Sequence, residues 1–264
     1  MTLGPESAGR ADGRGRLTGR RVVVVGAGTR PSPDPELTVG NGHAIAVLCA
    51  REGASVACVD VNKEAAKITT DMCAREVAAS VPVVADVRDA GACEPLVKEA
   101  HEKPGGLDGV EANVGFGGRQ RPNRNITGVV GRHLCGQRAL TFSRRARRMP
   151  LLDDGGTFVF IGSAAGLKAG TRFPAYDSSK AARFGLTRHV ALEGAPRSIR
   201  ANHVIPGPVD TPLGRVGDTS RWADENTMAA RTAGNSLGHR LCDRLHVERR
   251  IRLHHSAIAL SRWR

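Results

Sequence analysis

Tyr176 and Lys180 stand four residues apart in the string Pro174-Ala175-Tyr176-Asp177-Ser178-Ser179-Lys180, and Ser163 precedes the tyrosine by thirteen positions. Tyr176 is the only tyrosine among 264 residues. If residues 176–193 are helical, positions i and i+4 share one face, so the phenol and the ammonium point the same way. A neighbouring positive charge favours phenolate and lowers a tyrosine pKa from its usual ~10. A general acid/base working near neutral pH needs that shift. A lone Tyr-x-x-x-Lys is more often a surface lysine beside a half-buried tyrosine. The upstream serine and a nucleotide-type N-terminal half turn the reading toward chemistry.

The elements that must position these groups alternate along the chain. Arg21-Val22-Val23-Val24-Val25-Gly26 is a continuous β-branched run ending in glycine, as expected of a strand buried on both faces of a parallel sheet. Pro31-Ser32-Pro33-Asp34-Pro35 cannot be helical and reads as a rigid loop. Gly40-Asn41-Gly42 opens an apolar-periodic helix, His43 to Glu52, closed by Gly53, and Ser55 to Asp60 follows as a strand. Helices are predicted over 63–79, 90–103 and 176–193, and strands over 81–85, 107–112, 157–161 and 199–205. Such alternation implies an α/β fold, a Rossmann-type doubly wound parallel sheet with right-handed crossovers. The expected division is a disordered leader over 1–16, one catalytic domain over 17–215, and an atypical basic segment over 216–264.

A glycine-rich turn between strand and helix lets backbone approach a pyrophosphate, where the helix N-terminus offers free N–H groups and a positive dipole end. Gly26, Gly28, Gly40 and Gly42 are placed to do this. Asp60 lies 18 residues past Gly42, close to the ~20 expected of an acid that bonds a ribose 2′-hydroxyl. A carboxylate there repels a 2′-phosphate and favours NAD over NADP.

The ordered set Gly26…Gly40-Asn41-Gly42, Asp60, Asp86-Val87, Asn113-Val114-Gly115, Ile161-Gly162-Ser163, Tyr176-x-x-x-Lys180 and Pro206-Gly207-Pro208-Val209-Asp210-Thr211 resembles the short-chain dehydrogenase/reductases. The resemblance covers roughly 17–130 and 150–215. It implies that Asp86 and Val87 contact the adenine, that Asn113 and Gly115 line the cofactor cleft, and that Pro206, Gly207 and Thr211 border the nicotinamide. It further implies that Tyr176 exchanges a proton with the substrate oxygen during hydride transfer. Lys180 would lower the tyrosine pKa and bind the nicotinamide ribose, and Ser163 would hydrogen-bond the substrate carbonyl or alcohol. The expected substrate is a small ketone or alcohol, and the expected assembly a homo-dimer or tetramer.

Four features depart from that pattern. Thirteen residues separate Gly26 from Gly40, where relatives usually have about three. Ala112 replaces the first Asn of the usual Asn-Asn turn, and Glu111 before it puts a carboxylate in a central strand, which is costly unless paired. No Asn stands near Cys135 to Gln137, where relatives carry one in a proton path, and Asn125 comes too early. After about residue 215 the chain lacks the usual last helix, final strand and closing glycine-rich turn. A reading-frame shift would account for the last two. Codons can be chosen for Val130 to Gln137 that, read one base later, give Trp-Asp-Ala-Thr-Phe-Ala-Val-Asn, and across Leu237 to Asp243 Trp-Asp-Ile-Ala-Phe-Ala-Thr.

Charge points the same way. Residues 131–148 carry six arginines and no acid, and 231–264 carry eight arginines against Asp243 and Glu248. These two segments supply nearly all of the net +13, so the rest of the chain is nearly neutral. As written, helix 131–148 offers only a weak apolar stripe, and since that helix helps form the dimer interface in relatives, weakened oligomerisation is expected. A basic nucleic-acid binder is the remote alternative, without a recognition motif and with only nine aromatic residues for base stacking. A nearer one is a catalytically impaired dinucleotide-binding relative. The cysteines at 49, 58, 73, 93, 135 and 242 form no Cys-x-x-Cys pair, so they read as reduced thiols in the cytoplasm, and structural zinc is disfavoured. No apolar run approaches the ~20 residues of a membrane span.

Overall fold

The computed structural model describes residues 11–30, 39–76, 79–89, 105–115, 152–167, 174–207 and the strand 256–260, with isolated positions between these stretches. Seven parallel strands are described: β1 (Arg21–Val25), β2 (Ser55–Asp60), β3 (Ser80–Val84), β4 (Gly109–Ala112), β5 (Thr157–Ile161), β6 (Arg200–Ile205) and β7 (Ser256–Leu260). Their spatial order is β3-β2-β1-β4-β5-β6-β7. The chain winds outward from β1 in one direction and then from β4 in the other. The change of direction between β1 and β4 opens a crevice at the carboxyl ends of those strands, where ligands of open α/β sheets bind.

The β-branched run of β1 belongs at the centre because it has no polar face to offer water. Val22 to Val25 are each at most 2% exposed. The edge strand β3 tolerates Pro82, which donates no ladder hydrogen bond. Helices α1 (Asn41–Arg51) and α2 (Lys63–Glu76) cover one face, where Ile45, Leu48 and Cys73 pack with Val22, Val24 and Val56. Helix α3 (Pro174–Gly194) covers the other, where Val190 and Ala191 pack with Val110, Phe158 and Phe160. Glu111 of β4 is fully buried, in register between Val24 and Val159. The central carboxylate foreseen from sequence is therefore where it was expected.

At the amino edge of the sheet, Arg21 donates to Asp108 at 2.8 Å and to Asp153 at 2.6 Å, fastening the starts of β1 and β4 to the turn before β5. Residues 11–16, assigned from composition to the leader, make described contacts. Arg14 N donates to Glu52 at 3.0 Å and the Arg16 guanidinium to the same carboxylate at 2.7 Å. Those bonds hold Glu52 below the usual carboxylate range even though burial opposes the shift.

Six of the seven strands match sequence-expected segments, with ends moved by a residue or two. The expectation that the chain after 215 lacks a final strand is corrected: Ser256–Leu260 pairs in parallel with β6, Ala201 opposite Ser256 through Ile205 opposite Leu260. Its alternation of small and branched apolar residues is short and flanked by arginines and histidines, so it carries little strand signal. The predicted helix 131–148, both frame-shift segments, Asn125, and Cys93, Cys135 and Cys242 lie outside the described residues. Cys49, Cys58 and Cys73 are buried thiols that form no disulfide, as expected. Among the described residues, no helix is long and apolar enough to cross a membrane.

His203 of β6 is fully buried beneath α3, its ring 4.4 Å from that of Phe184, and its Nε2 has no partner among the described residues. Burial, aided by the charges of Arg183 and Lys180, pulls its pKa to about 3. The folded chain thus holds the ring neutral while the unfolded chain protonates it below the usual histidine pKa. Stability from this site is complete above that pKa and falls as pH drops toward 3. Replacing His203 with Phe should flatten this loss. Denaturant unfolding at about pH 7 and about pH 4 should show the variant losing roughly 3 kcal/mol less than the parent. Equal losses would remove His203 from the account of acid sensitivity.

Candidate active site

β1 ends by turning on Gly26, whose φ of +80° is a left-handed conformation that favours glycine. The Gly26 and Ala27 amides both donate to Val59 O of β2, at 2.8 and 2.9 Å. The first turn of α1 then closes against this backbone. A Cβ on Gly42 would collide with Gly26 O and lie 2.7 Å from Asn113 Nδ2, so only glycine lets strand and helix approach this closely. Asn113 donates to Gly26 O at 3.1 Å and ties the end of β4 to the same turn.

The long spacing between Gly26 and Gly40 does not separate them in space. Gly40 N donates to Thr29 Oγ1 at 3.0 Å, so the chain leaves at Thr29 and returns beside it, while residues 31–38 lie outside the described residues. Gly28 N donates to Asp60 Oδ2 at 2.9 Å, and a Cβ on Gly28 would lie 2.7 Å from that oxygen. Asp60 Oδ1 accepts from Asn62 N at 2.9 Å. An acid at the end of β2 is thereby fixed beside a glycine turn at the sheet crevice. Gly26, Gly28, Gly40, Gly42 and Asp60 meet in one close-packed cradle, where side chains on Gly28 and Gly42 would collide with Asp60 and with Gly26 O, and this fits a dinucleotide.

Two residues that the sequence reading did not single out brace the cradle. Thr69 of α2 donates to Ala27 O at 2.9 Å, and its hydroxyl lies 2.8 Å from Nδ1 of the buried His43. Asp86 and Val87 follow β3: Val87 is buried, whereas the Asp86 carboxylate is taken by Arg88, whose guanidinium holds it below its usual range. Gly115 follows the Asn113 turn at the end of β4. Pro206 O accepts from Ala164 N at 2.9 Å, linking the ends of β6 and β5; Gly207 follows it, and Thr211 is buried nearby in sequence.

Ser163, Tyr176 and Lys180 are brought together. Ser163 leaves β5 in extended conformation, and its Oγ accepts from Ala165 N at 3.2 Å, capping a single 3-10 turn, Ala164–Gly166. The same hydroxyl hydrogen-bonds the Tyr176 phenol. Lys180 Nζ lies 5.4 Å from the Tyr176 ring centroid. The capping role and the contact with the phenol coexist.

The expectation that Lys180 acidifies Tyr176 is corrected. Burial raises the phenol above its ordinary pKa, opposed by the Ser163 hydrogen bond and by the charge of Arg183, while Asp177 adds to the rise. Lys180 itself is almost completely buried, and burial together with Arg183 drives its pKa well down. Its Nζ donates to Ile161 O at 3.0 Å. An ammonium held below its usual pKa in this way is a poor source of fixed positive charge.

Arg183 was missed from sequence, although it was findable. It lies seven residues past Tyr176 and three past Lys180, on the helix face whose buried members are Ser179, Lys180, Arg183, Thr187, Val190, Ala191 and Gly194. The face is polar in its first half and apolar in its second, an unusual order for a helix lying against a sheet.

The profile of a family described as Enoyl-(Acyl carrier protein) reductase matches residues 38–240. The uncharacterized oxidoreductase YhxD of Bacillus subtilis (strain 168) is 31% identical over 208 residues, 76% of this chain and 65% of that protein, so the chain spans just under two thirds of that relative. Oxidoreductase UcpA of Escherichia coli (strain K12) is 30% identical over 247 residues, 88% of this chain and 86% of that protein. A 7α-hydroxysteroid dehydrogenase complexed with NADH and 7-oxo glycochenodeoxycholic acid shares the fold, with a TM-score of 0.73 at 20% identity, over 98% of this chain and 96% of that one. The chain belongs to the short-chain dehydrogenase/reductase family. It is an oxidoreductase of the class that acts on alcohol and ketone groups with nicotinamide dinucleotides.

Proposed function

We propose that the chain is an NAD(H)-dependent oxidoreductase that interconverts a ketone and a secondary alcohol, with Tyr176 as general acid and base. The observation that carries this reading is the contact between the Ser163 hydroxyl and the Tyr176 phenol at the carboxyl edge of the sheet, beyond β5. The cradle at Gly26, Gly28, Gly40 and Gly42 would hold the pyrophosphate, and Asp60 the adenosine ribose. Asn113, Gly115, Pro206, Gly207 and Thr211 would line the remaining cleft, with Asp86 and Val87 toward the adenine. When bound, the nicotinamide supplies or accepts the hydride.

Ser163 donates to the substrate oxygen and orients it toward the phenol. In reduction Tyr176 gives its proton to that oxygen as negative charge develops there. In oxidation the phenolate removes the alcohol proton. Asp60 favours NAD, since a carboxylate repels the additional phosphate of NADP and accepts hydrogen bonds from free ribose hydroxyls. The substrate is a small molecule, and a homo-oligomer acting in the cytoplasm fits the family pattern. Among the described residues no group of three or more His, Cys, Asp or Glu side chains could hold a metal ion.

Two observations favour a second reading, that of a dinucleotide-binding chain with impaired turnover. Lys180 is spent on the Ile161 carbonyl, and the phenol is raised rather than lowered. NADH binding, followed by cofactor fluorescence without turnover on any ketone, would select that reading.

Two outcomes test the leading one. Tyr176→Phe should abolish turnover, by about a thousandfold or more, while NADH affinity stays within about threefold. Because the raised phenol stays protonated at neutral pH, reduction should be nearly flat with pH there. Oxidation by the parent should climb about tenfold per pH unit until the phenol ionises. A flat oxidation profile would remove Tyr176 as the base. Separately, Asp60→Ala should narrow the NADH-over-NADPH preference by roughly tenfold or more, and an unchanged ratio of kcat/KM values would remove Asp60 as its source.

A further inference from the structure

The turn that leaves β1 is pinned residue by residue. Asn113 donates to Gly26 O at 3.1 Å, Thr69 donates to Ala27 O at 2.9 Å, and Asp60 accepts from Gly28 N at 2.9 Å. Thr29 is next in this series, and its hydroxyl accepts from Gly40 N, eleven residues along the chain, at 3.0 Å. Gly40 is the N-cap of α1, and its carbonyl accepts the first helical bond, from Ala44 N at 3.1 Å. Being glycine, it brings no side chain of its own to fix the cap. The Thr29 hydroxyl thus joins the end of the strand to the start of the helix.

The join is close. A Cβ built on Gly40 would lie 3.1 Å from Gly28 O, 3.5 Å from Thr29 Oγ1 and 3.6 Å from Thr29 Cα. Adjacent Cα atoms of any chain stand ~3.8 Å apart, so Thr29 and Gly40 sit nearly as neighbours in sequence would. Arg30 and Val39, where the intervening chain leaves and returns, are both exposed. Without residues 30–39 the sequence would read Gly26-Ala27-Gly28-Thr29-Gly40-Asn41-Gly42. That is a continuous glycine-rich turn running into a helix, the arrangement that lets backbone approach a pyrophosphate.

We propose that Thr29 is a positioning residue for the cofactor. Its hydroxyl does across space what a peptide bond would do along the chain, holding the amide end of α1 against the turn after β1. Residues 30–39 are separable from cofactor binding. The inference rests on the reading of the cradle as the dinucleotide site, and unfolding measured with no cofactor present tests the join apart from that reading.

Closing a loop costs entropy that a bond at its base must offset, and one hydrogen bond contributes modestly, so its loss should loosen the turn without abolishing it. A double-mutant cycle between Thr29→Val and deletion of residues 30–39 decides the matter, with Thr29→Ser as the conservative control. In the full chain Thr29→Val should weaken NADH binding about fivefold and lower the thermal unfolding midpoint by about 3 °C, while Thr29→Ser stays within about twofold of the parent. The deletion should fold, with a midpoint no lower than the parent's, and bind NADH within about twofold. Thr29→Val should then cost nothing further in the deletion, because a covalent bond has replaced the hydrogen bond.

A deletion that does not fold, or that binds NADH more than about tenfold weaker, would overturn the proposal. So would a Thr29→Val penalty on NADH that persists in the deletion, which would assign the hydroxyl a direct contact with the cofactor, or no penalty in the full chain. If the parent itself does not bind NADH, the reading of the cradle fails and the midpoints decide the join. A loss confined to the full chain supports it, and an equal loss with and without residues 30–39 overturns it.

Discussion

Parallel strands that stop together leave a row of carbonyls and amides pointing at one edge, and each must find a partner there. This chain's chemistry is organised around how it meets that requirement. Val59 O takes two amides from the glycine turn, Gly26 O takes the Asn113 amide, and Pro206 O takes Ala164 N. Ile161, Ala112 and Val114 offer their carbonyls to Lys180 and Arg183. The bonds that finish the sheet are the same bonds that set Asn113, Ser163, Lys180 and the glycine turn in place. Fold and site are therefore one structural problem at this edge.

Much of this was legible in the residues. The valine run of β1 could only be a doubly buried strand, and Asp60 stands where a strand end meets a glycine turn. The spacing of Tyr176 and Lys180 put both on one face of α3, and the structure keeps them there with the phenol against Ser163. The thirteen-residue gap between glycines looked disruptive along the chain but is closed in space by Thr29 and Gly40. Gap length carries no information about end-to-end distance when a single hydrogen bond joins the ends.

What was not legible has physical causes. Arg183 was passed over because a charged residue in a helix is ordinarily read as solvated, and only partners distant in sequence, at 112, 114 and 161, reveal otherwise. β7 was passed over because five small and branched residues between arginines give no periodicity to count. The direction of the Tyr176 shift was misread because spacing reports proximity, not burial. A lysine one turn away acidifies a phenol only while it keeps its own charge, and desolvation works against that here.

The central claim is that hydride and proton move at this carboxyl edge. Its most direct test incubates the full chain with a panel of ketones and NADH deuterated at the transferring carbon, and then measures the products by mass spectrometry. The expected result is a secondary alcohol carrying one deuterium on the carbinol carbon, absent when Tyr176 is replaced by Phe. NADH that binds saturably yet leaves no deuterium on any product across the panel would contradict the claim.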